Sequence, residues 1–161
     1  LLQLPEGRIT VDTKQLLTTL NRMYSLELNQ VDLYSAQSKQ VPDIYLRQTL
    51  KRVAEVEQGH VENISQKIIE LGGKPTALGE AIAPVTGKVA GFLTGKAGAI
   101  ALLKANIDLE EKAMKDYKDF LLKVGGDESF FNLLFSNLID EDLHTAWFVN
   151  KVKELESISS G

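Results

Sequence analysis

Residues 46–71 read LRQTLKRVAEVEQGHVENISQKIIEL. Leu46, Leu50, Val53, Glu57, His60, Ile64, Ile68 and Leu71 recur at steps of three and four, which puts them on one face of a helix. Every member of that stripe is apolar except Glu57 and His60, which lie three residues apart and therefore one turn apart on the same face. Pro42 suits the first turn of this helix, Gly72-Gly73 supplies a left-handed cap, and Pro75 prevents continuation. The predicted helix spans 43–71.

Three more stretches carry the same period. The first helix is predicted over 12–39, with Thr10 or Asp12 as its N-cap. Its stripe is Leu20, Tyr24, Glu27, Val31, Tyr34 and Ser38. The third is predicted over 97–124, ending at Gly125-Gly126, with the stripe Leu103, Ile107, Glu110, Met114, Tyr117 and Leu121. The fourth is predicted over 128–157, opening after Asp127 or Ser129. Its stripe is Leu134, Asn137, Glu141, His144, Phe148, Val152 and Leu155. Each helix would be roughly 40 Å long at about 1.5 Å per residue.

Short connections make the first and second helices one antiparallel hairpin and the third and fourth another. Residues 73–96 link the two, long enough when extended to run the length of the bundle. The expected fold is all-α: an antiparallel four-helix bundle of two hairpins joined by a long crossover, with one domain over 1–161. No strand pattern competes.

Each stripe thus carries a glutamate where a core residue belongs, and two also carry a histidine. A lone buried carboxylate is costly, and four sharing one interior repel one another. Bound metal cations are the direct remedy. Glu141-Asp142-Leu143-His144 repeats the spacing of Glu57-Gln58-Gly59-His60, so each motif offers a carboxylate and an imidazole to one ion, and Glu27 and Glu110 complete the set. The chain has 2 histidines, and both are used. Glu111 rivals Glu110 but stands one step off the stripe.

The halves also repeat. Glu27 precedes Tyr34 by 7 residues, as Glu110 precedes Tyr117. Glu27 to Glu57 spans 30 positions and Glu110 to Glu141 spans 31. The hairpins read as copies related by a pseudo-two-fold axis.

Composition narrows the chemistry. Cys is absent, which excludes disulfides, zinc ribbons, iron–sulfur clusters and thiol nucleophiles. Net charge is −4 with Lys and Arg scattered among acids, so no nucleic-acid partner is expected. The most apolar stretch, Leu78 to Leu103, is broken by Glu80, Lys88 and Lys96, so no membrane span is expected. Leu1 to Gly7 has neither a basic n-region nor a long apolar run, which predicts no signal peptide. With a pI of about 5.3, a cytoplasmic location is the default.

With the pattern Glu, Glu-x-x-His, Glu, Glu-x-x-His on Glu27, Glu57/His60, Glu110 and Glu141/His144, the chain resembles the ferritin-like di-iron carboxylate superfamily from its first helix to its fourth. The resemblance implies Glu57 and Glu141 bridging two ions, Glu27 and Glu110 terminal, and one His on each. Tyr34 and Tyr117 match tyrosines familiar in that family one to two turns beyond the ligands of the first and third helices, where the resemblance implies contact with the ligands and not with the ions. In size the chain is similar to a rubrerythrin domain. It lacks that family's rubredoxin cysteines, and Ala113 stands where an extra glutamate would be expected. The ligand set is closer to bacterioferritins and demethoxyubiquinone hydroxylases, and Ala90-Gly91-Phe92-Leu93-Thr94-Gly95 resembles the crossover of the latter.

Carboxylate and imidazole donors suit two Fe ions, or alternatively two Mn. No catalytic residue is expected beyond the metal ligands. The leading expectation is an oxidoreductase reacting with dioxygen or peroxide, with a small-molecule substrate or electron donor that the residues do not specify. The alternatives are a ferroxidase or iron-storage protein, a dimanganese catalase-like enzyme, and a bundle in which metal is purely structural. A homodimer through helix faces is the expected assembly. Tyr24 and Trp147 are expected to serve packing. Asp32, Asp108, Asp116 and Asp140 are candidate partners for the histidine N–H groups.

Overall fold

The computed structural model describes residues 12–77, 96–124 and 127–158. Four helices make up the fold: α1 (Thr13–Gln40), α2 (Ile44–Glu70), α3 (Lys96–Leu121) and α4 (Glu128–Ile158). α1 packs along α2 and α3 along α4, while α2 meets α4 and α1 meets α3 more thinly. This is the expected bundle of two hairpins, and no strand occurs among the described residues. Most of the crossover, including Ala90–Gly95, lies outside the described residues, as do Leu1–Gly7, Thr10 and Gly125-Gly126. No described helix is long and apolar enough to cross a membrane.

Local chemistry sets the helix ends. Asp12 caps α1 by accepting from Lys14 N at 3.1 Å, and Asp43 caps α2 by accepting from Leu46 N at 2.6 Å. Asp127, not Ser129, caps α4, with its carboxylate 2.9 Å from Phe130 N. Pro42 lies one residue outside the α2 cap instead of in its first turn. At the far end of α2, Gly72 takes φ 77° and Gly73 N returns to Ile68 O at 2.9 Å, the left-handed stop expected there. Thr76 N then donates to Asn21 Oδ1 at 2.7 Å, tying the chain that leaves α2 to the side of α1.

α3 ends at Leu121, earlier than the spacing predicts. Its last turn tightens, with Lys123 N donating to Phe120 O at 2.9 Å, a three-residue step that closes the helix before the glycines. The buried face of α1 is also rotated from its predicted stripe. Met23, Gln30, Leu33 and Gln37 are buried, whereas Tyr24 and Val31 are half-buried. The stripes of α2 and α4 are buried as expected from Leu46 to Ile68 and from Leu134 to Val152.

The apolar core falls into two parts. One end of the bundle packs Leu20, Ile64, Ile68, Phe120, Phe130 and Leu134 around Tyr117. The other packs Val41, Leu46, Leu50, Leu103, Phe148 and Val152 around Tyr34. Between them lies a layer of buried polar side chains, fixed from above and below by close-packed hydrocarbon.

Two glycine substitutions are predicted to act in opposite directions, as measured by chemical denaturation. Gly72→Ala should destabilise the protein by about 1 kcal/mol, because a side chain is strained at φ 77° even though nothing crowds it. Gly59→Ala, inside α2 with open space around the new methyl, should stabilise by about 0.5–1 kcal/mol.

Candidate metal centre

The polar layer consists of the residues that broke the apolar stripes. Glu57, Glu110 and Glu141 are fully buried, Glu27 and His60 are 2% exposed, and His144 is 8% exposed. Glu111, the rival on α3, is exposed. The six form two overlapping groups: Glu27, Glu57, His60 and Glu141, and Glu57, Glu110, Glu141 and His144. Within each group the potential ligand atoms lie within 4.8 Å of one another. Glu57 and Glu141 belong to both groups, and each half adds one further glutamate and one histidine.

The histidines aim the same ring nitrogen inward. His60 Nδ1 lies 3.0 Å from Glu57, 3.3 Å from Glu141 and 3.5 Å from Glu27. His144 Nδ1 lies 3.1 Å from Glu57 and 3.7 Å from both Glu110 and Glu141. On the outer side, His60 Nε2 meets Asp140 Oδ2 at 3.2 Å. Among the four candidate aspartates, Asp140 therefore takes the orienting position. Asp32 and Asp108 are exposed, and Asp116 faces Arg22 at 3.6 Å.

The tyrosines cross between hairpins. Tyr34 on α1 donates to Glu110 on α3, and Tyr117 on α3 donates to Glu27 on α1. Glu27 and Glu110 thus each have one oxygen held by a phenol. Tyr24 and Trp147 instead pack against the two apolar cores. Gln30, Gln37 and Asn106 are buried polar groups that the stripes did not include. Gln37 and Asn106 exchange two amide hydrogen bonds of 2.9 Å. Each lies three or four residues along its helix from Glu27, Tyr34 or Glu110, and that offset is the signal that could have found them.

Without a cation, the six groups share protons unequally among themselves. Burial pushes Glu27 well above its ordinary range, and repulsion from Glu141 adds to the shift. Burial and the contact with Glu141 push Glu110 up to about 8. Glu57 and Glu141 move the other way: burial opposes the shift, but contacts with both histidines, and with Glu110 for Glu141, hold them low. Burial would lower His60, yet Glu141, Glu27 and Glu57 hold it far above its usual value. In the same way Glu110, Glu141 and Glu57 overcome burial and push His144 up to about 12. Burial and the neighbouring carboxylates raise Tyr34 and Tyr117, so both remain protonated donors.

Even so, pairing is incomplete. Glu27 Oε2, both oxygens of Glu57 and Glu141, Glu110 Oε2, and Nδ1 of both histidines are buried without a hydrogen-bond partner. These are the atoms that converge on the centre of the layer. Carboxylate oxygens and imidazole nitrogens left open toward one point suit hard or borderline divalent cations, and the residues fit a pair of metal ions.

The chain matches the ferritin-like domain family over residues 17–158. A bacterioferritin of Desulfovibrio desulfuricans is 28% identical over 141 residues, covering 84% of this chain and 73% of that protein. The solved structure of Desulfovibrio desulfuricans bacterioferritin, which describes its diiron site in different catalytic states, is similar with a TM-score of 0.73. Its identity is 22%, with 90% of this chain and 82% of that one covered. A dodecameric thioferritin, the bacterioferritin-related protein of Bacteroides fragilis, is similar with a TM-score of 0.76 at 21% identity, over 93% of this chain and 91% of that one. These two structural likenesses support the fold. The chain belongs to the ferritin-like domain family.

Metal uptake should release protons. In the metal-free layer His60, His144, Glu27 and Glu110 all hold their protons more tightly than usual, and a cation must displace them. Binding of Co(II) should therefore weaken steadily as pH falls, already from above pH 8, where His144 and then Glu110 take up their protons. Its calorimetric heat should vary with the ionisation enthalpy of the buffer. Heat that is independent of the buffer would contradict this protonation pattern.

Proposed function

We propose that this ferritin-like chain is a bacterioferritin-type ferroxidase that takes up ferrous iron, oxidises it at the polar layer and passes it on for storage. The observation that carries the proposal is the set of converging, unpaired ligand atoms on Glu27, Glu57, His60, Glu110, Glu141 and His144. Glu57 and Glu141 sit between the two positions, and Glu27 with His60 and Glu110 with His144 complete one position each. Iron is both cofactor-like occupant and substrate here, and its own redox change supplies the chemistry.

Two ferrous ions give up one electron each. Dioxygen takes the pair with two protons and leaves as hydrogen peroxide; peroxide in its place takes the pair with two protons and leaves as two waters. The protein's share is positional. Tyr34 and Tyr117 fix the carboxylates of Glu110 and Glu27, Asp140 fixes the ring of His60, and the two apolar cores keep bulk water away from the layer.

An oxidoreductase that uses dioxygen or peroxide on a small-molecule substrate or electron donor, the leading expectation from sequence, is less well supported. A groove of about 700 Å³ lies between α1 and α2, but its lining, including Ser35, Lys39, Arg47 and Gln58, contains none of the six residues. The bacterioferritin relative also favours iron handling. Storage requires an assembly larger than the expected homodimer, and a dodecamer occurs in the thioferritin neighbour. Along α4, Phe131, Phe135, Ile139 and Leu143 are exposed at steps of four, an apolar stripe that contact between copies of this chain would cover.

Aerobic addition of ferrous ion to metal-free protein tests the proposal. About two ions per chain should oxidise in a rapid phase, with one dioxygen consumed per pair, followed by slower uptake of many more. Glu57→Ala/Glu141→Ala should abolish the rapid phase, and size-exclusion chromatography should show an assembly beyond the dimer. Oxidation no faster than in protein-free buffer would refute the ferroxidase role. Saturation at two ions in a dimer would refute storage.

A further inference from the structure

The internal repeat allows the two halves of the layer to be compared residue by residue. Under the pseudo-two-fold relation Glu27 corresponds to Glu110, Tyr34 to Tyr117, Glu57 to Glu141 and His60 to His144. The groups that brace these residues do not correspond. Asp140, which precedes Glu141, holds His60 Nε2 at 3.2 Å. Its counterpart before Glu57 is Val56, which has no side-chain acceptor, and among the described residues every polar contact of His144 falls on its inner nitrogen, Nδ1. His144 is also the most exposed of the six, at 8% against 2% for His60.

The same inequality recurs at the tyrosines. Asn137, four residues before Glu141, donates to the Tyr117 hydroxyl at 2.9 Å, and Tyr117 in turn holds Glu27. The matching position before Glu57 is Val53, a buried apolar residue, so the Tyr34 hydroxyl that holds Glu110 receives no such bond from α2. Both extra braces fall on the Glu27/His60 half and neither on the Glu110/His144 half.

We infer that the two metal positions are unequal: the Glu27/His60 position retains its ion, the Glu110/His144 position exchanges, and Asp140 is the positioning residue that makes the difference. The inference rests on the metal-binding proposal above. A partner that fixes a ligand imidazole removes the entropy of orienting the ring on binding and makes its inward nitrogen a better donor. Loss of such a partner typically lowers metal affinity by about 10–100-fold. A tight and a loose position would suit iron handling, because one ion stays as a partner while the other passes through.

Calorimetric titration of metal-free protein with Co(II), in the absence of oxygen, measures the two steps separately. Anomalous diffraction at one Co(II) per chain locates the first ion. The wild type should bind in two steps at least about tenfold apart, with the first ion beside His60. Asp140→Ala should weaken the position beside His60 about 10–100-fold, drawing the two steps together or reversing their order, and leave the position beside His144 unchanged. Asp140→Asn, which keeps an acceptor oxygen, should recover most of that loss. Val56→Asp should tighten the second step by giving His144 the missing acceptor, and this gain cannot arise from damaged folding.

Equal or cooperative steps in the wild type would overturn the inference, as would a first ion beside His144. So would an Asp140→Ala loss shared by both positions, or a Val56→Asp chain whose position beside His144 binds no more tightly. A chain that takes up no Co(II) at all would overturn the metal-binding proposal itself, and this inference with it.

Discussion

Four carboxylates cannot share a dry interior without compensating positive charge, and that constraint shapes this bundle. Each buried carboxylate costs several kcal/mol in lost hydration even after the surroundings relax. Two imidazoles repay part of this, since His60 and His144 stay charged against their own burial. They do not complete the pairing, because both oxygens of Glu57 and of Glu141 still lack hydrogen bonds. Glu27 and Glu110 relieve part of the repulsion by holding their protons more tightly, and the surrounding structure fixes the layer in place.

That support comes from two directions. Along the bundle axis, the apolar clusters around Tyr117 and around Tyr34 clamp the layer from either side. Across the axis, the tyrosines bond from one hairpin to the other, α1 to α3 and back. The apolar cores already join the two hairpins, and these two bonds add polar links between α1 and α3. The same side chains that orient Glu27 and Glu110 therefore also link the halves of the fold, so an ion held between them would add to stability.

Much of this was legible in the sequence because helix periodicity is rigid. Glu57 and His60 can share a face only at certain spacings, and their neighbours Val53 and Ile64 say which face is buried. The repeat in the second hairpin then located Glu141 and His144 independently. Burial also separates Glu110 from Glu111 in the sense the stripe indicated. What stayed hidden depended on rotations and pairings that one sequence does not carry. Gln30 and Gln37 look like the polar margin of an amphipathic helix, but a small rotation of α1 buries them. Asp140 could not be told from Asp32, Asp108 or Asp116, because the choice turns on how α4 faces α2. The early end of α3 and the place of Pro42 reflect single-residue cap geometry, which periodicity does not reach.

The six converging side chains are proposed to hold two metal ions. The most direct measurement is the metal content, per chain, of protein purified without chelators, beside the Glu57→Ala/Glu141→Ala variant. The account predicts about two iron ions per wild-type chain and close to none in the variant. A wild-type chain that carries no metal, and takes up none when loaded with ferrous ion in the absence of oxygen, would contradict it; the layer would then be a metal-free polar core.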